Sequence, residues 1–293
     1  MGRLGHLLER LDRVLSLGER VLRDWLGTPP SRADLERSRA FRWDASRGAG
    51  RLVPVSEPRV FDLSDLQGVD RPLERLVRNT EQFVRGLPFN HVLLYGERGT
   101  GKSSSVNGLL TTYADRGLRI VEVRKADLVD LPRILQGLRA IPHHVLLFCD
   151  DLSFGEGEGG HRELKAALEG SVEAPPSNVC IVATSNRRHL LPELRSDNLA
   201  ARLDEDGDLH PGEVLEEKLA LSDRFGLVLG FFGFDQKTYL GIVDHYAKQA
   251  GLDLAPEKLR EEALCWALER SSRSGRTARQ FVDDLAGREA LRR

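Results

Sequence analysis

The fold is decided by the stretch Gly96-Glu97-Arg98-Gly99-Thr100-Gly101-Lys102-Ser103. Its spacing fits G-x-x-x-x-G-K-S/T, the motif of a phosphate-binding loop. The apolar run 91–95 before it predicts a short buried strand, and residues 104–113 after it predict a helix. Glycines let the backbone wrap its N–H groups around phosphate oxygens, and the helix N-terminus adds its positive end. The sequence therefore predicts a site for nucleotide phosphates at this loop.

The residue types in the loop indicate how a nucleotide would be held. Lys102 is placed to reach the β and γ phosphates, and Ser103 offers a hydroxyl to Mg²⁺. We therefore expect ATP and Mg²⁺ as ligands. The predicted nucleotide-binding residues of this segment are Gly96, Glu97, Arg98, Gly99, Thr100, Gly101, Lys102, Ser103 and Ser104.

The composition is typical of a globular protein with a sizeable core: 293 residues, 40% hydrophobic and 30% charged. The net charge of −2 gives no global field that would attract nucleic acid or an anionic membrane. Cys149, Cys180 and Cys265 show no C-x-x-C spacing, which favours a reducing cytoplasm. No apolar run approaches the roughly 18 residues that span a bilayer. We therefore expect a cytoplasmic protein with no membrane partner.

The N-terminal part is predicted to be helical and then extended. Leucines at helical spacing, with charges on the other face, predict an amphipathic helix over residues 1–27. This helix either packs on its own domain or serves for docking or oligomerisation, and the spacing leaves both alternatives open. Residues 31–58 predict a polar connector in which Phe41 and Trp43 are the apolar anchors.

Strand and helix patterns alternate along the middle of the chain, whereas the C-terminal part is helical throughout. The alternation predicts a parallel sheet with helices on both faces. We therefore predict three parts: a helical N-terminal extension and connector (1–58), an α/β nucleotide-binding core (59–234) and a small all-helical C-terminal domain (235–293).

Polar side chains follow two of the predicted strands. Asp150 and Asp151 end the apolar run 144–149, and Asn186 ends the next strand. A carboxylate at the carboxyl edge of a parallel strand faces the ligand crevice, so Asp150 is the expected partner of Mg²⁺. Asp151 is placed to polarise the attacking water. Asn186 either orients a water or a phosphate oxygen, or simply forms a turn, as asparagine often does at strand ends.

Three arginines are further candidates for phosphate contacts. Arg224 precedes the last predicted strand, and its planar fork suits a finger that a neighbouring subunit presents to a phosphate. The spacing alone favours a salt bridge for Arg224. Arg276 and Arg279 lie at the start of the last helix, where they either reach back to the nucleotide or form a solvated helix end.

The ordered set of motifs resembles an AAA+ ATPase over about residues 60 to 285. Three strings resemble more closely an uncharacterised bacterial AAA+ family, the domain-of-unknown-function family 815. They are Asn79-Thr80-Glu81-Gln82-Phe83, Phe148-Cys149-Asp150-Asp151-Leu152-Ser153-Phe154 and Thr184-Ser185-Asn186-Arg187-Arg188-His189-Leu190. Two shorter strings do so as well, His210-Pro211-Gly212-Glu213 and Ser222-Asp223-Arg224-Phe225-Gly226-Leu227.

The resemblance implies a parallel five-stranded sheet in the order 5-1-4-3-2 and a C-terminal helical lid. It also implies roles for single residues: Asn186 as the sensor 1 residue, Arg224 as the arginine finger and Arg279, or alternatively Arg276, as the sensor 2 arginine.

The chain departs from the AAA+ pattern at two points. The usual strand end is Asp-Glu, but here Asp151 is one methylene shorter than the usual base, which predicts slow hydrolysis or an intervening water. The segment 125–130 has no aromatic residue of the kind that threading unfoldases carry in a pore loop, so we do not expect continuous threading of polypeptide.

Together these features predict a Mg²⁺-dependent ATPase that acts as a remodeller or switch on an unidentified protein partner. Arg224 predicts a homo-oligomer whose assembly depends on nucleotide. The alternatives are a nucleic-acid-associated ATPase of the helicase-loader kind, which the near-neutral charge does not favour, and a nucleotide-gated scaffold with slow turnover.

Overall fold

The structure is a computed structural model, and it describes the chain in several stretches. These are residues 13–16, 18, 32–46, 50–154, 160–170, 174–186, 202–203, 209–210 and 221–292. Most of the helix predicted over residues 1–27 lies outside the described residues. None of the helices in the described stretches is both long and apolar enough to cross a bilayer.

The strands of the described stretches form two sheets. In chain order they are β1 (Ala40–Asp44), β2 (Arg51–Pro54), β3 (Val92–Gly96), β4 (Leu118–Glu122), β5 (His144–Cys149), β6 (Val179–Ser185), β7 (Arg202–Leu203), β8 (Leu209–His210) and β9 (Leu227–Phe231). Among the described residues, the main sheet has seven strands in the order β2-β1-β4-β5-β6-β3-β9, and β7 pairs with β8. Within the main sheet all neighbours are parallel except β1 and β2.

The resemblance implied a sheet of five strands in the order 5-1-4-3-2. For the whole main sheet, both this number and this order are wrong. Two strands that were predicted as part of a polar connector, β1 and β2, extend the sheet beyond β4. The five predicted strands lie next to one another in the remainder of the sheet. The extension is hard to read from sequence because β1 and β2 are short and carry charged residues, and β1 pairs with a strand far along the chain.

The predicted anchors explain why this hairpin belongs to the sheet. Phe41 and Trp43 are almost fully buried, with 1% and 5% of their surface exposed. The Trp43 indole N–H donates to Asp130 at 3.1 Å. Arg42, on the opposite side of β1, forms an ion pair with Glu122 of β4 at 3.1 Å. Residues 40–44 and 51–54, which were predicted as part of the polar connector, are therefore strands of the main sheet, and both apolar anchors are buried as expected.

Within the described part of the chain, five α-helices precede the last strand of the main sheet, and three more follow it. In the described stretches they are α1 (Arg32–Arg37), α2 (Asp70–Val84), α3 (Lys102–Tyr113), α4 (Leu131–Arg139), α5 (His161–Glu169), α6 (Gln236–Gln249), α7 (Pro256–Glu269) and α8 (Gly275–Leu291). The last three form a separate hydrophobic cluster centred on Tyr239, Val243 and Phe281. The prediction that only helices follow residue 235 agrees with the described structure.

The central strands bury side chains on both faces of the sheet, as continuous apolar runs in parallel sheets do. Neighbours along β3 face opposite sides, so Leu93 belongs to one core cluster and Leu94 to the other. Every residue of β6 is buried. Since β3, β5 and β6 are adjacent and parallel, their carboxyl ends meet at one edge. That edge carries the motif residues.

At the opposite edge, the burial of His91 makes folding stability depend on pH. The backbone N–H of Ile181 donates to His91 Nδ1 at 3.2 Å. Burial lowers the pKa of His91 from 6.5 to about 4. Between these two pH values His91 is mostly protonated in the unfolded chain and mostly neutral in the folded chain. Stability is therefore lost as the pH falls through this window.

We expect His91→Asn, which retains an acceptor for Ile181, to reduce the acid-induced loss of unfolding free energy. The reduction between about pH 7 and pH 4.5 should be roughly 1–3 kcal/mol. Urea unfolding of both proteins at the two pH values measures it. Measurements between about pH 7.5 and 8.5 serve as the control, because neutral His91 predicts parallel behaviour there. Equal acid-induced losses in both proteins would contradict the prediction.

Candidate nucleotide-binding site

Glycines allow the loop between β3 and α3 to curl. Gly96, Gly99 and Gly101 have φ angles of 132°, 76° and 106°, in the region that side chains disfavour. A Cβ atom on Gly96 would collide with the carbonyl of Phe231 in the neighbouring strand β9. The backbone therefore follows a path at these positions that favours glycine, as the sequence predicts.

The ammonium group of Lys102 lies inside this curl. Its Nζ donates to the carbonyls of Gly96 at 2.8 Å and Glu97 at 2.7 Å, and to Asn186 Oδ1 at 3.3 Å. The residue is only 7% exposed. Burial lowers the pKa of Lys102, and the nearby carboxylates of Asp151 and Asp150 oppose this shift. The loop thus holds a cation where a phosphate would need one.

Asp150 accepts two hydroxyl groups on one oxygen. Ser103 Oγ donates to Asp150 Oδ1 at 2.7 Å, and Thr184 Oγ1 donates to the same atom at 2.6 Å. A carboxylate beside a hydroxyl is a set of hard oxygen donors, the type that Mg²⁺ prefers. The described residues contain no cluster of three or more His, Cys, Asp or Glu suited to a metal ion. Mg²⁺ is usually held by one or two carboxylates together with substrate phosphates, so Ser103 and Asp150 fit it.

Asp151 and Asn186 are in contact. Asn186 Nδ2 donates to Asp151 Oδ1 at 2.5 Å. Asp151 has φ = 52°, a left-handed backbone that aspartate and asparagine adopt more readily than other side chains. The two polar residues at the ends of β5 and β6, which the sequence singled out separately, thus form one group beside Lys102.

The first residues of α8 close the site from the helical part. The backbone N–H of Arg276 donates to the Gly99 carbonyl at 3.3 Å. Arg276 and Arg279 both line the cavity above the loop. Arg279 also pairs with Asp283 at 3.0 Å and lies 5.2 Å from the ring centre of Tyr246. Both arginines therefore border the cavity from the helical part of the chain.

This cavity has a volume of about 730 Å³. Seven predicted nucleotide-binding residues of the loop segment line it: Arg98, Gly99, Thr100, Gly101, Lys102, Ser103 and Ser104. Gly96 and Glu97 instead contribute the carbonyls that hold Lys102. Asp150, Asp151 and Asn186 are also lining residues.

The sequence interpretation missed an apolar part of the cavity. Six residues from outside the loop supply it: Val60, Phe61, Leu66, Phe234, Ile242 and Tyr246. The first three precede α2, whereas the last three lie in α6 or just before it, far away in the sequence. In the sequence, the available indication was the apolar pair Val60-Phe61 within the polar stretch 56–65. In the structure, 80% of the Val60 surface is exposed.

Arg224 lies elsewhere. Its guanidinium forms an ion pair with Glu169, at the end of α5, and it borders a smaller cavity beside Asn90 and His91. These two residues precede β3, whereas the phosphate loop follows it. Arg224 is therefore not among the described residues that line the cavity above the phosphate loop of its own chain. A salt bridge, the alternative that spacing favoured, is present.

The fold and the phosphate loop are those of the AAA+ class of P-loop ATPases. Within this class, the chain belongs to the family described as "Protein of unknown function (DUF815)", whose model matches residues 36–289. The resemblance found in the sequence strings is confirmed by this match. A search of curated proteins gave no match.

Solved structures with similar folds include a protein–DNA complex and a mutant of RuvB. The Aeropyrum pernix ORC1 protein in complex with DNA is 15% identical with a TM-score of 0.53, covering 78% of this chain and 62% of that one. A mutant of Thermotoga maritima RuvB is 18% identical with a TM-score of 0.52, covering 77% of this chain and 64% of that one. This chain therefore spans less than two thirds of either protein. At these identities the similarity is one of fold.

The left-handed backbone at Asp151 leads to a prediction about stability. We expect Asp151→Glu to lower the unfolding free energy by about 1 kcal/mol, because glutamate disfavours this conformation. Asp151→Asn is the matched control, since asparagine tolerates the conformation and keeps an acceptor for Asn186. Urea unfolding without nucleotide measures both variants. A Glu variant as stable as the Asn variant would show that φ at this position does not constrain the residue type.

Proposed function

We propose that the protein is a Mg²⁺-dependent ATPase that works as a homo-oligomer and acts as a remodeller or switch on a protein partner. The ATPase proposal rests mainly on one observation. The cation of Lys102, the Ser103–Asp150 pair and the Asp151–Asn186 pair all border one cavity. Phosphoryl transfer depends mainly on such positioning and charge stabilisation.

Each group has a distinct proposed role. Lys102 binds the β and γ phosphate oxygens, exchanging its present contacts with loop carbonyls for them. Ser103 and Asp150 would hold Mg²⁺, which would supply positive charge to neutralise developing phosphate charge. Asp151 accepts a hydrogen bond from the attacking water, and Asn186 orients that carboxylate. Arg276 or Arg279 reaches the phosphates from the helical lid.

We propose that catalytic sites are shared between subunits. Arg224 lies near the start of β3, whereas the phosphate loop lies at the other end of that strand. To reach the nucleotide of its own subunit, the Arg224 side chain would have to span the length of β3. A neighbouring subunit can present it directly, and an arginine supplied in this way raises phosphoryl-transfer rates by about 10³–10⁵. Glu169 would release the guanidinium when the γ-phosphate competes for it.

The proposed domain division places the nucleotide between two bodies. Separate hydrophobic clusters in the sheet region and in helices α6–α8 support a boundary near residue 235. The three parts 1–58, 59–234 and 235–293 therefore remain our proposed domains, with β1 and β2 of the first part joined to the sheet of the second. Three free cysteines suit the cytoplasm as the proposed location.

The second candidate function is a nucleotide-gated scaffold with little turnover. The shorter carboxylate of Asp151 in place of glutamate favours it. Asn186 contacts this carboxylate directly, so the approach of Asp151 to a water is constrained from one side. Association with nucleic acid, the remaining alternative, has a net charge of −2 against it. Steady-state ATP hydrolysis, measured alone and with candidate protein partners, separates the ATPase from the scaffold.

We expect Lys102→Ala to weaken ATP binding at least tenfold, because the variant loses the cation inside the loop. Titration with a fluorescent ATP analogue measures the affinity. Lys237→Ala is the matched control, since Lys237 is exposed on α6 outside the residues that line the cavity. If Lys102→Ala binds as tightly as the control, the loop does not bind nucleotide phosphates.

We expect Arg224→Ala to bind ATP normally and to hydrolyse it at least a hundredfold more slowly. Mixing it with Lys102→Ala should restore part of the activity, because the Lys102 variant still supplies an intact Arg224 to its neighbour. Light scattering with and without ATP establishes whether mixed oligomers form. Arg85→Ala, which removes an exposed pair with Glu81, is the control. It should hydrolyse ATP at the wild-type rate without being mixed with a second variant. Formation of mixed oligomers without rescue would leave Arg224 as a structural ion pair.

A further inference from the structure

Thr184 bonds to three consecutive residues at the end of β5. Its hydroxyl donates to Asp150 Oδ1 at 2.6 Å and accepts the backbone N–H of Asp151 at 2.8 Å. Its carbonyl accepts the N–H of Leu152 at 2.7 Å. The side chain is buried, with 1% of the residue surface exposed. In the sequence, Thr184 stands only as the first residue of a string that resembles the family and has no assigned role, because its contacts come from pairing between strands.

The direction of the Thr184 hydroxyl proton follows from its two partners. A hydroxyl has one proton and two lone pairs, and an ionised carboxylate only accepts. The Thr184 proton must therefore point to Asp150, and a lone pair must receive the N–H of Asp151. Replacement of the hydroxyl by a methyl group would leave the Asp151 N–H without this partner and would leave Ser103 as the one remaining donor of the two to Asp150 Oδ1.

The Thr184 hydroxyl contacts both acidic residues of the proposed ATPase site, Asp150 through its carboxylate and Asp151 through its backbone N–H. Ser103 and Thr184 both donate to one oxygen of Asp150, Oδ1, and together they hold that oxygen in place. The bond to the Asp151 N–H holds the peptide at which the chain turns left-handed. That turn directs the short Asp151 side chain to Asn186.

We propose that Thr184 is a positioning residue whose hydroxyl orients Asp150 toward Mg²⁺ and holds the left-handed turn that presents Asp151. The proposal rests on the proposed ATPase function. It also explains how an aspartate serves where a glutamate is usual, because the turn of the backbone substitutes for part of the missing methylene. A packing role for the Thr184 methyl group is the competing explanation.

The test compares Thr184→Val, which has the same shape without the hydroxyl, with Thr184→Ser, which keeps the hydroxyl and loses the methyl group. The affinity for a fluorescent ATP analogue is measured at increasing Mg²⁺ and in EDTA. We expect Thr184→Val to need about 10–100-fold more Mg²⁺ for half-maximal enhancement of binding, since partners that orient metal ligands carry effects of this size. Its affinity in EDTA should match the wild type, and Thr184→Ser should behave as the wild type throughout.

Turnover provides a second measurement on the same proteins. In saturating Mg²⁺, Thr184→Val should lower kcat while KM changes little, because Asp151 would lose its fixed direction. Thr112→Val is the matched control: its hydroxyl donates to the Gly108 carbonyl within α3, at 2.9 Å, and Thr112 is not among the cavity-lining residues. If Thr184→Val does not fold, Thr184→Cys replaces it, and its weak S–H donor predicts an intermediate Mg²⁺ requirement.

Three outcomes would overturn the proposal. An unchanged Mg²⁺ requirement and kcat in Thr184→Val, or in Thr184→Cys if that variant is used, would show that the hydroxyl does not position the carboxylates. Equal losses in Thr184→Ser and Thr184→Val would assign the role to the methyl group. In both cases a wild type that binds and hydrolyses ATP keeps the proposed function intact. Wild-type protein that binds no nucleotide would instead refute the proposed function, and this inference with it.

Discussion

Two hydroxyl groups that donate to one carboxylate oxygen, Asp150 Oδ1, hold the candidate site together. One comes from Ser103 at the start of α3, and the other comes from Thr184 in β6. The carboxylate itself follows β5, so this atom joins three segments that are separate in sequence. Such a junction requires β3, β5 and β6 to end at one edge, which a parallel sheet with these neighbours provides. The sheet order is therefore a condition for the chemistry.

The remaining part of the site depends on how the helical region meets the sheet region. The two regions have separate buried clusters, and Phe234 packs against one cluster of each region. Polar contacts also join them: Asp65 accepts a hydrogen bond from Gln249 at 2.5 Å and contacts His245 at 2.9 Å. Arg276 bonds through its backbone to Gly99 of the phosphate loop. Polar contacts of this kind break at lower cost than an apolar core, which is compatible with the proposed role of the helical region as a lid.

Sequence reasoning pointed to about half of the residues that line the candidate cavity and to part of the sheet. The loop around Lys102, the carboxylate of Asp150 and the amide of Asn186 could be found because each has a local pattern: a glycine motif or a polar residue that ends an apolar run. Strands β1 and β2 were missed since they are short, charged and paired at long range. The apolar wall that includes Val60 and Tyr246 was missed for a related reason, because its parts are separated by more than half of the chain.

By itself, the sequence determined the phosphate loop, because glycine positions and a following helix constrain the backbone over a few residues through local sterics. It also determined the alternation that leads to an α/β core, because hydrophobic periodicity is a local property. Only the tertiary structure decided that Asp151 is left-handed and meets Asn186, that Thr184 bonds to Asp150, and that Arg224 pairs with Glu169. These contacts join residues that are distant in the chain. Their geometry follows from strand order and register, which no short stretch of sequence contains.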